Sequence, residues 1–159
     1  METISPAVFM GEAIRLAEEN VRSGRGGPFG CVIVKDGKII ARGINLVTTS
    51  NDPTSHAEIV AIRRACESLG SFVLTGCEVF ASSEPCPMCM AALYWARPAR
   101  VYYASSHADA AEAGFDDVSI RQQLLRPLRQ RDLPMIRLME AEGKQPFRLW
   151  KLSTRKKKY

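Results

Sequence analysis

The chain has no apolar run approaching the roughly eighteen residues a membrane span needs, and no basic segment leading into an apolar core near its start. These absences argue against a membrane-spanning protein and against an export signal, so a cytoplasmic location is the default expectation. No internal repeat, low-complexity linker or shift of composition divides the 159 residues, and a single domain over 1–159 is expected. Histidine is scarce, with two residues, and the cysteines number five, an odd count that cannot fully pair. In a reducing compartment that argues against a disulfide framework. The excess behind the net +5 sits in residues 121–137 and in Arg155-Lys156-Lys157-Lys158, and no aromatics are interleaved with these runs. Basic runs without stacking side chains are ordinarily solvated surface, so nucleic acid is not an expected partner, nor is a membrane. What is present is an ordinary globular composition, 46% hydrophobic and 25% charged.

Ser5 followed by Pro6 opens a helical pattern of Phe9, Ala13, Leu16, Ala17 and Val21 that ends at Gly24. Cys31-Val32-Ile33-Val34 and Ile39-Ile40-Ala41 flank Asp36-Gly37, which predicts a hairpin. After a polar loop at 45–55, Ile59, Ile62, Ala65, Cys66 and Leu69 predict a second helix, and Val79-Phe80-Ala81 a strand. Pro85 and Pro87 punctuate the entry to a third helix through Ala91, Leu93, Tyr94 and Trp95, halted before Pro98. A strand at Val101-Tyr102-Tyr103-Ala104, a short helix, a strand at 135–139 and a helix around 147–152 complete an α/β chain built on one central sheet.

The chemistry-bearing residues lie in two short stretches, His56-Ala57-Glu58 and Glu84-Pro85-Cys86-Pro87-Met88-Cys89. Two cysteines three apart on a first helical turn lie on one face, about 5–6 Å apart at Cβ, and the helix N-terminus favours their thiolates. His56 and Glu58, two apart, point about 200° from each other around a helix and can share only a site beyond the helix end. Three ligands, His56, Cys86 and Cys89, leave a fourth tetrahedral position of zinc for water, whose pKa falls from about 15.7 to about 7. Glu58, unligated, can then carry the water proton, which is the inventory of a hydrolytic deaminase.

Other readings of the same residues exist. Cys-x-x-Cys also serves in redox pairs, and His107 could close a Cys2His2 structural site, giving a non-catalytic zinc-stabilised interaction module. Cys31, Cys66 and Cys77 sit in apolar sequence and read as small core residues. By spacing alone, Phe29 and Trp95 read as core aromatics, Asn45 as a turn residue bonding its own backbone, and Asp117 as a helix N-cap.

The His-Ala-Glu and Pro-Cys-Pro-Met-Cys elements resemble those of the cytidine/deoxycytidylate deaminase superfamily. Gly26-Gly27-Pro28-Phe29-Gly30, Thr48 through Thr54, Tyr94-Trp95-Ala96-Arg97-Pro98, the 111–117 loop and the final Lys157-Lys158-Tyr159 are similar to its guanine deaminase branch. The resemblance implies a cytidine-deaminase-like three-layer α/β/α sandwich around a mixed sheet of about five strands. It implies one zinc ion per subunit on His56, Cys86 and Cys89, with Glu58 and Asp117 as catalytic proton carriers. Phe29, Asn45, Ala57 and Trp95 would meet a purine base, and Tyr159 would close the pocket. It further implies a homodimer in which residues 118–159 are exchanged between subunits. The implied activity is conversion of guanine to xanthine and ammonia, with guanosine or a tRNA adenosine as the alternatives that share the zinc core.

Overall fold

The computed structural model describes residues 5–115 and 117–159; Asp116, inside the 111–117 loop singled out above, lies outside them, as do residues 1–4. In chain order the elements are α1 (Pro6–Arg22), β1 (Gly30–Lys35), β2 (Lys38–Ile44), α2 (Val47–Ser50), α3 (Ala57–Leu69), β3 (Cys77–Ser83), α4 (Pro87–Ala96), β4 (Arg100–Ser105), α5 (His107–Glu112), α6 (Val118–Leu125) and α7 (Gln145–Leu152). Two single-turn 3-10 helices lie between the last two. The chain divides into two compact units, Met1–Val118 and Ser119–Tyr159.

In the first unit the strands form one mixed sheet in the order β2-β1-β3-β4. The hairpin forms where expected, with Asp36 and Gly37 both at positive φ, the backbone of a tight two-residue turn. Strand alternation then sorts the core. Cys31, Ile33, Cys77 and Val79 point to one face, against Ala57, Ala61 and Ala65 of α3 and Leu93 and Ala96 of α4. Val32, Val34 and Phe80 point to the other, against Phe9 and Ala13 of α1. Phe80 is the centre of that second layer, 5.4 Å from Phe9 and stacked on Tyr102 at 4.6 Å. Helices therefore cover both faces, as the three-layer expectation required.

Topology explains why one edge of this sheet collects the functional residues. β1 runs antiparallel to both β2 and β3, so β2 and β3 share a direction, and β4 is parallel to β3. The C-terminal ends of β2, β3 and β4 and the start of β1 therefore open on the same edge. Phe29, Asn45, Glu84 and His107 stand within two residues of those strand ends, and the helices that follow β2 and β3 begin there.

Close approach of helix to sheet is set by two strand glycines. A Cβ on Gly30 would lie 2.2 Å from the Ala13 carbonyl oxygen, and one on Gly43 would lie 2.0 Å from that of Ala57. Backbone cannot yield as a flexible side chain can, which is why glycine stands opposite small alanines on α1 and α3.

The sheet has four strands rather than about five, because residues 135–139 form none. A short apolar run becomes a strand only beside a partner edge, and Met139 leaves the extended conformation for positive φ. In the unit Ser119–Tyr159, whose residues are all described, none is buried, and Met135, Ile136 and Leu138 are exposed. Among the described residues no helix is long and apolar enough to cross a membrane.

Gly43→Ala should cost about 1–3 kcal/mol or more of unfolding free energy by overpacking and should disturb the start of α3. Gly11→Ala, on α1 with open space around its position, should instead stabilise by about 0.5–1 kcal/mol. Urea unfolding of the two variants beside the wild type checks both signs.

Candidate metal centre

Two helix N-termini deliver the site. His56 occupies the cap position of α3 and Cys86 that of α4, both in extended backbone, and Cys89 lies three residues into α4. Pro87 at the first position of α4 fixes the helical start without needing a hydrogen bond there. Ahead of α3, Asp52 ties the turn into shape: its carboxylate accepts from the Thr54 backbone N–H at 2.8 Å, Thr54 Oγ1 at 2.7 Å and Ser55 Oγ at 2.7 Å. That anchors the chain one residue before His56.

The ligand atoms of His56, Cys86 and Cys89 all lie within 4.8 Å of one another. His56 presents Nδ1, 3.5 Å from Cys86 Sγ and 3.6 Å from Cys89 Sγ. Tetrahedral zinc with bonds of about 2.0–2.1 Å to nitrogen and about 2.3 Å to sulfur separates those ligands by about 3.6 Å, so the three side chains already stand at the spacing zinc requires. No other group of three metal-binding side chains occurs among the described residues.

Electrostatics agrees with that use. A hydrogen bond from Cys89 and then one from His56 hold the Cys86 thiol well below its ordinary range, while the same pairing and burial push Cys89 up. The Cys86 sulfur is thus the more readily ionised of the two. The hydrogen bond to Cys86 raises the His56 imidazolium, helped by the nearby carboxylates of Glu58 and Asp117. Glu58, 8% exposed on the first turn of α3, is pushed up chiefly by burial. A carboxyl raised in this way can hold and release a proton, the property a general acid/base needs. Burial likewise pushes up the thiols of Cys31, Cys66 and Cys77, which leaves them the core role expected of them.

His107 is not among the clustered ligands. Its Nε2 lies 3.0 Å from Glu84 Oε1 and its Nδ1 lies 3.4 Å from Asp117 Oδ2. Both nitrogens face carboxylates, and the three-ligand set keeps its fourth position.

The remaining candidates are placed as follows. Ala57 is 1% exposed between His56 and Glu58. Phe29 is half-buried and meets Phe115 edge-on at 4.9 Å. Asn45 is buried; its Oδ1 accepts from Val47 N at 3.3 Å, the turn contact expected of it, and no described residue accepts from its Nδ2. Trp95 is 61% exposed on α4 and so is no core aromatic. Asp117 immediately precedes α6, and Tyr159 is exposed at the end of the second unit.

Sequence reasoning gave no role to Asn20 on α1, which is fully buried and donates through Nδ2 to the carbonyls of Gly27 and Asn45, both at 2.9 Å. It clamps the two segments that carry Phe29 and Asn45. An asparagine within an apolar helical stripe was the available signal. Asp52 was legible too, as an acidic residue heading Pro-Thr-Ser before a helix.

The family profile described as the cytidine and deoxycytidylate deaminase zinc-binding region matches residues 5–105. The chain belongs to this deaminase family. Over 151 residues it is 53% identical to the guanine deaminase of Bacillus subtilis, covering 95% of this chain and 97% of that one. The X-ray structure of a guanine deaminase from the same species superposes with a TM-score of 0.96 at 51% identity, covering 98% and 99% of the two chains. A tRNA-specific adenosine deaminase of Agrobacterium fabrum is 50% identical over 76 residues, which is 48% of this chain and 50% of the relative.

Cys86→Ala, Cys89→Ala and His56→Ala should each lose zinc, whereas Cys31→Ala, Cys66→Ala and Cys77→Ala should keep it, as metal analysis of the purified variants would show. Zinc should leave as pH falls, because protons compete for the two thiolates and the imidazole. His107→Ala should retain zinc, contrary to a Cys2His2 site.

Proposed function

We propose that this protein is a zinc-dependent aminohydrolase that converts guanine and water to xanthine and ammonia. The observation that carries the reading is a three-ligand His56, Cys86 and Cys89 set beside the buried, unligated Glu58. The near full-length likeness to guanine deaminases supports the choice of base, since the likeness to the tRNA-specific adenosine deaminase spans half of either chain.

Zinc, one ion per subunit, supplies the Lewis acidity that lets water ionise near neutral pH. Glu58 accepts the proton of the attacking water and passes it to a ring nitrogen of guanine as oxygen adds to C2. It then takes the remaining proton from the new C2 hydroxyl and delivers it to the departing amine, so that ammonia leaves and the C2 carbonyl forms. Asp117 shares the second transfer. Phe29 stacks on the purine, Asn45 offers its Nδ2 to a ring acceptor, and Ala57 and Trp95 complete the walls. The basic runs at 121–137 and 155–158 hold no interleaved aromatics, which favours a small base over nucleic acid. A cytoplasmic setting keeps Cys86 and Cys89 reduced for zinc.

The active form is a homodimer in which residues 118–159 of each copy pack on the other and bring Tyr159 over the partner's pocket, completing one deaminase domain per site. The absence of any buried residue in 119–159 supports this, as do the exposed apolar 135–139 segment and the position of β4 at the edge of its sheet. An unpaired edge and an unpaired extended segment each invite pairing.

Guanine, guanosine, adenine, cytidine and a tRNA anticodon stem-loop, offered in parallel to the zinc-loaded protein, should yield ammonia from guanine, and Glu58→Ala should keep zinc while turnover falls by about 10²–10⁴-fold. Turnover of the stem-loop alone would replace guanine with the tRNA reading. Sedimentation should give twice the 17.6 kDa chain mass, and a monomer would remove the exchange.

A further inference from the structure

We propose that His107 is a positioning residue that holds the Asp117 carboxylate in place for proton transfer, with Glu84 fixing the imidazole from behind. The inference deepens the reading above and rests on Asp117 carrying a proton in that reaction.

The placement of the ring follows from the strand ends. Parallel pairing sets Ser105 of β4 beside Ser83 of β3, and the Glu84 N–H donates to the Ser105 carbonyl at 2.8 Å. Ser106 then caps α5 in a reciprocal box with Asp109, which fixes His107 as the first residue of that helix. From there the His107 backbone N–H donates to Glu84 Oε2 at 3.4 Å, and its Nε2 reaches Oε1 of the same carboxylate at 3.0 Å. Nδ1 is left pointing the other way, 3.4 Å from Asp117 Oδ2. The His107 and Asp117 side chains are each 16% exposed and Glu84 is 32% exposed, so water has limited room to compete.

Glu84 Oε1 and Asp117 Oδ2 meet the ring at ion-pair distance but off the line of a good hydrogen bond, a looseness catalytic contacts show before substrate tightens them. A neutral imidazole can donate to one of the two carboxylates and an imidazolium to both. In either form the ring stands against Asp117 Oδ2, and that contact is what the proposal assigns to positioning. Partners of this kind, one step removed from the reacting groups, are worth about 10–100-fold in activity when lost.

The two ring nitrogens allow a test that a merely structural role does not pass. H107N places an amide near the position of Nδ1, facing Asp117, and H107Q places one near Nε2, facing Glu84. With guanine as substrate and zinc content measured on every variant, kcat of H107A and H107Q should fall about 10–100-fold with KM within about twofold, zinc retained, and H107N should recover most of the loss. The D117N/H107A double variant should be no slower than D117N alone, because both changes remove one function. Equal activity of H107Q and wild type, an H107N as slow as H107A, or losses that track departing zinc would each overturn the proposal. If H107A fails to fold, the contrast between H107N and H107Q still decides. Should wild type act on another base of the panel and not on guanine, the choice of guanine fails and the variants are read on that base. Ammonia from no base at all removes the role of Asp117 and overturns the inference with it.

Discussion

Two helix N-termini aimed at one point are the constraint on which the rest of the structure depends. Thiolates, an imidazole and a carboxylate are costly to bury together, and what makes the grouping tolerable is the positive end of α3 and of α4 before a metal arrives and the metal's charge afterwards. The sheet order makes that meeting possible. With β2, β3 and β4 sharing a direction, helices that follow β2 and β3 start on the same edge, and the spacing from Nδ1 to sulfur is already that of a zinc tetrahedron.

Different neighbours push the site's titratable groups in opposite directions. Cys86 is held low by its sulfur and imidazole neighbours against the pull of burial, whereas Glu58 is raised chiefly by burial. The supporting layer is built from neutral or tied groups: Asp52 secures the turn before His56, and Asn20 secures the carbonyls of Gly27 and Asn45. Gly30 and Gly43 let the helices sit close enough for these short reaches.

Local rules made the centre of the site legible in sequence. A histidine before a helix and two cysteines three apart around a proline fix side-chain directions through helix geometry alone, and the structure puts His56, Cys86 and Cys89 where those rules say. The hairpin at Asp36-Gly37 and the helix opened by Ser5-Pro6 were legible for the same reason. What failed was whatever depends on a distant partner. Residues 135–139 have the apolar content of a strand, yet among the described residues no neighbour pairs with them, so the sheet stops at four strands. The alternative in which His107 closes a Cys2His2 set stayed open because sequence cannot show that β4 carries it beside Glu84. Asn20 was hidden because its partners are backbone carbonyls, which have no sequence signature. Phe29 and Asn45 illustrate the middle case: the strand and turn around them were readable, and their meeting with purine was implied by family resemblance alone.

The central claim is a zinc ion held by three protein ligands with one position left for water. Zinc K-edge X-ray absorption on the purified protein tests it most directly. The account predicts two sulfur neighbours at about 2.3 Å and two nitrogen or oxygen neighbours at about 2.0–2.1 Å, one of which is replaced when an anion that competes with water is added. A shell that no added anion alters, or one with three or more sulfurs, would contradict it.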